Sequence, residues 1–119
     1  MPTVLVIDDE ANILLLLRMA LTARGYTVHT AQNAQAALDL FRQVQPDLTL
    51  MDLSMPGISG EEVGRVLAQE GARIIVMSAG TNLWARAQAM GALGVIEKPF
   101  DLTTLVEKLE SVWHLAQRT

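Results

Sequence analysis

Five short runs of apolar and β-branched residues alternate along this chain with amphipathic stretches, and that alternation constrains the fold more than any other feature. The runs are Thr3 to Ile7 (TVLVI), Tyr26 to Thr30, Leu48 to Met51, Arg73 to Met77 (RIIVM) and Leu93 to Ile96. Most are uninterrupted over four or five residues, as expected of strands buried on both faces; Tyr26 to Thr30 alternates only weakly. Between and after them, helices are expected over Ala11 to Arg24, Ala34 to Val44, Gly60 to Gln69, Thr81 to Met90 and from Asp101 onward. Asn33 and Asp101 are placed to cap their helices, Gly25, Gly71 and Gly91 to end theirs, and Pro46 to keep the second helix out of the third strand. The expected inner faces are Ile13, Leu16, Leu17, Ala20 and Leu21; Ala37, Leu38, Phe41 and Val44; Val63, Val66 and Leu67; Leu83, Trp84, Ala87 and Met90; and Leu105, Leu109 and Val112. Leu14 and Leu15 widen the first stripe, so one leucine is expected to stay exposed.

Strand and helix in strict alternation imply a parallel sheet with helices on both faces. Right-handed crossovers leave few topologies, and for five strands the common one is 2-1-3-4-5, an α/β, flavodoxin-like, doubly wound sheet. A chain of 119 residues with no linker or repeat is read as one domain, 1–119.

That topology makes strands one and three neighbours, and their carboxyl ends carry acids. Asp8 and Asp9 follow the first strand and Asp52 the third, with Met55-Pro56-Gly57 forcing a turn just beyond. Ser78 and Lys98 follow strands four and five on the same rim, where ligands of open α/β sheets bind. A lone strand-end Asp, Ser or Lys is ordinarily turn chemistry or a solvated charge. Three converging carboxylates, however, persist only beside a cation or with raised pKa values. With no His or Cys in the cluster a hard divalent ion such as Mg2+ fits better than zinc. An ion facing a lysine and a hydroxyl supplies the parts of phosphoryl transfer, with Asp52 as nucleophile, Lys98 as countercharge and Ser78 as hydrogen-bond donor.

Composition closes off other classes. The chain has no cysteine, which removes disulfides, thiolate catalysis and Cys-ligated zinc. A net charge of -4 provides no basic footprint for nucleic acid. No run is long and apolar enough for a membrane span, and the start lacks the basic region of a secretory signal, so a cytoplasmic location is expected.

VLVIDDE (Val4 to Glu10), LMDLSMPGISG (Leu50 to Gly60), VMSAG (Val76 to Gly80) and EKPF (Glu97 to Phe100) together resemble the receiver domain of two-component response regulators, from end to end of the chain. The resemblance implies that Asp52 takes a phosphoryl group from a sensor histidine kinase, a phosphotransfer protein or a small phosphodonor. It implies Mg2+ on Asp9, Asp52 and the Ser54 carbonyl, with Asp8 acting partly through water, and a cis Lys98-Pro99 bond. It implies a signalling phosphoacceptor that assists its own phosphorylation and dephosphorylation, and not an enzyme in the usual sense. In such domains the hydroxyl at the Ser78 position moves toward the phosphoryl group. The face of the fourth helix, fifth strand and fifth helix then rearranges for a downstream protein or a homodimer. Two departures stand out: Val95 occupies a position usually aromatic, and the span from Ser78 to Lys98 is about two residues shorter than such domains have, implying a trimmed loop or fourth helix. Trp84 is expected at the core's edge, the alternative being a partner anchor on that face. Ile13, Leu14 and Leu16 with Pro99-Phe100 form a candidate docking surface for the phosphodonor.

With no effector segment visible, a stand-alone regulator is expected, the alternative being a receiver module cut from a longer protein. Three other readings are weaker. A receiver-fold module that binds without being phosphorylated would be favoured by loss of a site residue. An aspartate-dependent phosphatase would need a DxDxT motif and a cap insertion. A flavin carrier would need a hydroxyl-rich loop where this chain has Asp8 and Asp9.

Overall fold

Every expected run is a strand in the computed structural model, which describes residues 2–54, 60–80 and 82–117. The strands are β1 (Thr3–Ile7), β2 (Thr27–Ala31), β3 (Leu48–Asp52), β4 (Ile74–Ser78) and β5 (Gly94–Glu97). Between and after them lie α1 (Ala11–Ala23), α2 (Ala34–Val44), α3 (Gly60–Gln69), α4 (Leu83–Met90) and α5 (Leu102–Gln117). All pairings are parallel and the sheet order is β2-β1-β3-β4-β5. Successive strand residues point to opposite faces, so each strand feeds two cores. Val4, Val6, Leu48, Leu50, Ile75 and Met77 pack with α1 and α5, while Leu5, Ile7, Met51, Ile74 and Val76 pack with α2, α3 and α4.

The caps behave as their chemistry predicts. Asn33 accepts from the Ala36 N-H at 2.8 Å and Asp101 from the Thr104 N-H at 2.7 Å. Gly25 and Gly91 hold φ of 95 and 85°, the left-handed region that glycine enters without penalty.

Several expectations need correction. On α1 the buried residues are Leu14, Leu17 and Leu21, while Leu15, Leu16 and Met19 face outward. The run from Ile13 to Leu17 contains no polar residue to fix the helical phase, so Leu14 and Leu16 exchange their expected places. On α3, Val66 is exposed, and Gly60 and Gly64 share the inner face with Val63 and Leu67. Trp84 stands 60% exposed on α4 instead of packing at the core's edge. Strands β2, β4 and β5 sit one residue later than the apolar runs, and β3 extends through Asp52. The ladder admits polar residues at its end, as in the pairs Asp52↔Met77 and Ser78↔Glu97. The turn expected at Met55-Pro56-Gly57 lies outside the described residues.

Candidate functional site

The five residues expected to converge do so at the carboxyl edge of β1, β3, β4 and β5. Asp52 and Ser78 are the last ladder residues of their strands, so sheet hydrogen bonding holds their backbones. Asp8 is held almost as firmly: its N-H bonds the Ala31 carbonyl at 3.1 Å and its Oδ1 accepts from the Glu10 N-H at 3.0 Å. Asp8, Asp52 and Ser78 are buried, and Asp9 is more open than either aspartate.

Asp8, Asp9 and Asp52 each offer a carboxylate oxygen within 4.8 Å of the others. Lys98 Nζ lies 3.5 Å from Asp8 Oδ2 and 3.5 Å from Asp52 Oδ2. Three carboxylates against one ammonium leave a local excess of two negative charges, which a hard divalent cation neutralises. Burial pushes the Asp8 carboxyl above its ordinary value, against the Glu10 N-H; the Asp52 charge adds to the rise and Lys98 opposes it. The donor set is all oxygen, fitting Mg2+ and disfavouring softer ions. Ser54 is exposed beside it, and its N-H donates to Asp52 Oδ1 at 3.1 Å.

Ser78 Oγ accepts from the Gly80 N-H at 3.1 Å, which leaves its own proton to donate. The VMSAG segment contains Gly80, but nothing in its spelling marks this bond. A cleft of about 450 Å³ opens beside Ser78 and Lys98, lined also by Gly80, Trp84 and Glu97. The Lys98-Pro99 bond is cis. Val95 is buried, and α4 at 8 residues is the shortest helix among the described residues. Of the residues expected to form a docking surface, Leu14 belongs to the core and is unavailable. Ile13 and Phe100 are half-buried against the α1/α5 core, and Leu16 is exposed. No helix among the described residues is long and apolar enough to cross a membrane.

A family model described as the response regulator receiver domain matches residues 4–110. The transcriptional regulatory protein KdpE of Mycobacterium tuberculosis is 40% identical over 114 residues, covering 93% of this chain and 50% of that protein. Sporulation initiation phosphotransferase F of Bacillus subtilis is 33% identical over 103 residues, covering 83% of each. Among solved structures, the response regulator TrrA of Thermotoga maritima, in complex with Mg2+ and BeF, superposes with a TM-score of 0.84 at 35% identity, covering 94% of this chain and 99% of that one. A receiver domain protein from Clostridium thermocellum gives a TM-score of 0.90 at 25% identity, with 98% of each chain covered. The chain spans about half the length of the first curated relatives it matches.

Proposed function

Since this chain belongs to the response regulator receiver domain family, the phosphoacceptor module of two-component signalling, we propose that Asp52 is its phosphoacceptor. One observation carries the assignment: Asp52 ends the central strand β3, so it alone of the cluster stands between the acids Asp8 and Asp9 that follow β1 and Ser78 on β4, with Lys98 in reach. An Asp52 oxygen attacks phosphorus as the bond to the donor, the N-P bond of a phosphohistidine or the P-O bond of acetyl phosphate, breaks and its electron pair leaves with the donor. Lys98 supplies a point charge to the phosphoryl oxygens, and Ser78 donates its free proton to one of them. Asp8, Asp9, Asp52 and the Ser54 carbonyl would hold Mg2+, whose charge offsets that of the incoming phosphoryl group.

The donor is a sensor histidine kinase or phosphotransfer protein docking over Ile13, Leu16 and Phe100, with a small phosphodonor as substitute. The output is a changed α4/β5/α5 face, read by a downstream protein or a second copy of the chain, with exposed Trp84 as an anchor. The role is signalling with assisted self-dephosphorylation. An acidic surface of net charge -4 supports no direct nucleic-acid contact by this domain. A cytoplasmic location suits a kinase partner.

The test is incubation with Mg2+ and acetyl phosphate, or with beryllofluoride, followed by intact mass or binding analysis of the wild type and Asp52→Asn. A phosphoryl adduct and a beryllofluoride complex are expected, both lost in the variant. Absence of any Asp52-dependent adduct or complex would sink the assignment.

A further inference from the structure

Leu53, the residue after Asp52, and Gly80, two residues after Ser78, are each pinned by a close approach, and an ion pair joins the two pins. On the β3 side, the first residue of α3 lies directly on the residue after Asp52. A Cβ added to Gly60 would stand 2.8 Å from Leu53 Cα and 2.9 Å from its carbonyl oxygen, so glycine alone fits. On the β4 side, a Cβ at Gly80 would stand 2.9 Å from Arg86 Nη1 and 3.3 Å from Ser78 Oγ. The Arg86 guanidinium therefore rests against the backbone whose N-H holds the Ser78 hydroxyl.

The residue after Gly60 is Glu61, and Arg86 of α4 donates to Glu61 Oε1 from Nε, at 3.2 Å, and also from Nη2. The two side chains are only 34% and 28% exposed, so water screens the pair less than an open surface bridge. Contacts thus run in a closed circuit from Asp52 through Leu53, Gly60, Glu61, Arg86 and Gly80 to Ser78.

We propose that the Glu61–Arg86 pair is a strut that backs Gly80 and so sets where the Ser78 hydroxyl stands relative to Asp52, making Arg86 a positioning residue for phosphoryl uptake. The inference rests on the reading of Asp52 as phosphoacceptor. A planar guanidinium suits the task because it bonds the carboxylate through two N-H groups while a third lies along Gly80. If either end is removed, Gly80 loses its backing and the Ser78 hydroxyl no longer waits where a phosphoryl oxygen arrives.

Beryllofluoride affinity in Mg2+ and the rate of phosphorylation by acetyl phosphate test this in Glu61→Gln, Arg86→Gln, their double variant and Arg86→Lys. Each single variant should lose about fivefold in both quantities, the double no more than either single, and Arg86→Lys less. Mg2+ affinity measured alone should stay within about twofold, since the acid cluster is untouched. In a Ser78→Ala background, Arg86→Gln should add nothing. Unchanged affinity in Arg86→Gln, additive losses, a parallel fall in Mg2+ affinity, or an undiminished effect in the Ser78→Ala background would each overturn the strut. A wild type that takes up neither beryllofluoride nor phosphoryl refutes the phosphoacceptor reading itself. A normal wild type beside an unaffected Arg86→Gln refutes only the strut.

Discussion

Replacing Thr49 with valine should stabilise the protein and leave its phosphorylation chemistry intact. Thr49 is fully buried in β3, paired with Leu5 on β1 and Ile74 on β4. Both partners belong to the core beneath α2, α3 and α4, so the Thr49 side chain points into that apolar layer. Its hydroxyl has no hydrogen-bond partner among the described residues. Leaving such a group unpaired costs about 1–3 kcal/mol, and a methyl in its place gains apolar burial instead. A net gain of about 1–2 kcal/mol follows, which for a chain of this size raises the melting midpoint by about 4–8 °C. Urea titration should show a higher midpoint at unchanged slope, because the surface exposed on unfolding is the same. Thr49→Ser is the control: it keeps the hydroxyl, deletes the methyl and should lose about 1 kcal/mol. Asp52 lies three residues on and is held by its own ladder pair, so beryllofluoride affinity should match wild type. A neutral or destabilising Thr49→Val would mean that the hydroxyl is satisfied, and the reasoning would fall.

Asp8 and Asp101 should give pH slopes of opposite sign. The folded pKa of Asp8 is raised by burial, so the folded state holds the extra proton between the unfolded and folded values. Metal-free stability from this group therefore falls as pH rises through that window, and Asp8→Asn should flatten the slope in chelator. Asp101 is depressed by the Thr104 N-H, so its stabilisation is present above the unfolded value and lost as pH falls through the folded one; Asp101→Asn keeps a cap while removing that dependence. Urea melts across pH 3 to 7 check both, and an unchanged slope in either variant counts against its assignment. Lys98→Ala should bind Mg2+ at least as tightly as wild type, having one cation fewer in the cluster, yet lose about tenfold or more in beryllofluoride affinity. Calorimetry separates the two effects, and a parallel fall in both would contradict the division of roles.

The sheet order and the convergence of Asp8, Asp9, Asp52, Ser78 and Lys98 were legible because every strand but β2 is a concentrated apolar run ending at a polar residue. The same signal misplaced the strand ends, since it treats a polar residue as the exit while the ladder continues through Asp52 and Ser78. It also failed on α1, where consecutive leucines give no phase, and at Trp84, whose size argues for burial until the short α4 turns it outward. Glu61 and Arg86 left no trace at all. They are separated by 25 residues, look like ordinary helix-surface charges, and meet only because α3 packs beside α4.

The site is rigid where bonds are made and loose where charge must be redistributed. Backbone hydrogen bonds tie Asp8, Asp52 and Ser78 to the sheet, so their main chains cannot drift apart without breaking those bonds, and a side-chain oxygen of each is set by a further N-H contact. Lys98 is different. At 3.5 Å from each of two carboxylate oxygens, it is farther than the roughly 2.7–2.9 Å of a committed charge-assisted bond. Its ammonium sits between the acids, bonded strongly to neither, on a flexible stem that remains 22% exposed. A third anionic group arriving at Asp52 can recruit it without first breaking a short bond. Ser78 needs only to turn its hydroxyl proton while Oγ keeps the Gly80 N-H. If Asp52 is the phosphoacceptor, as proposed, phosphoryl uptake would move only a lysine tip and a hydroxyl rotor, and the burden of keeping that rotor in range would fall on the backbone at Gly80 and on whatever braces it.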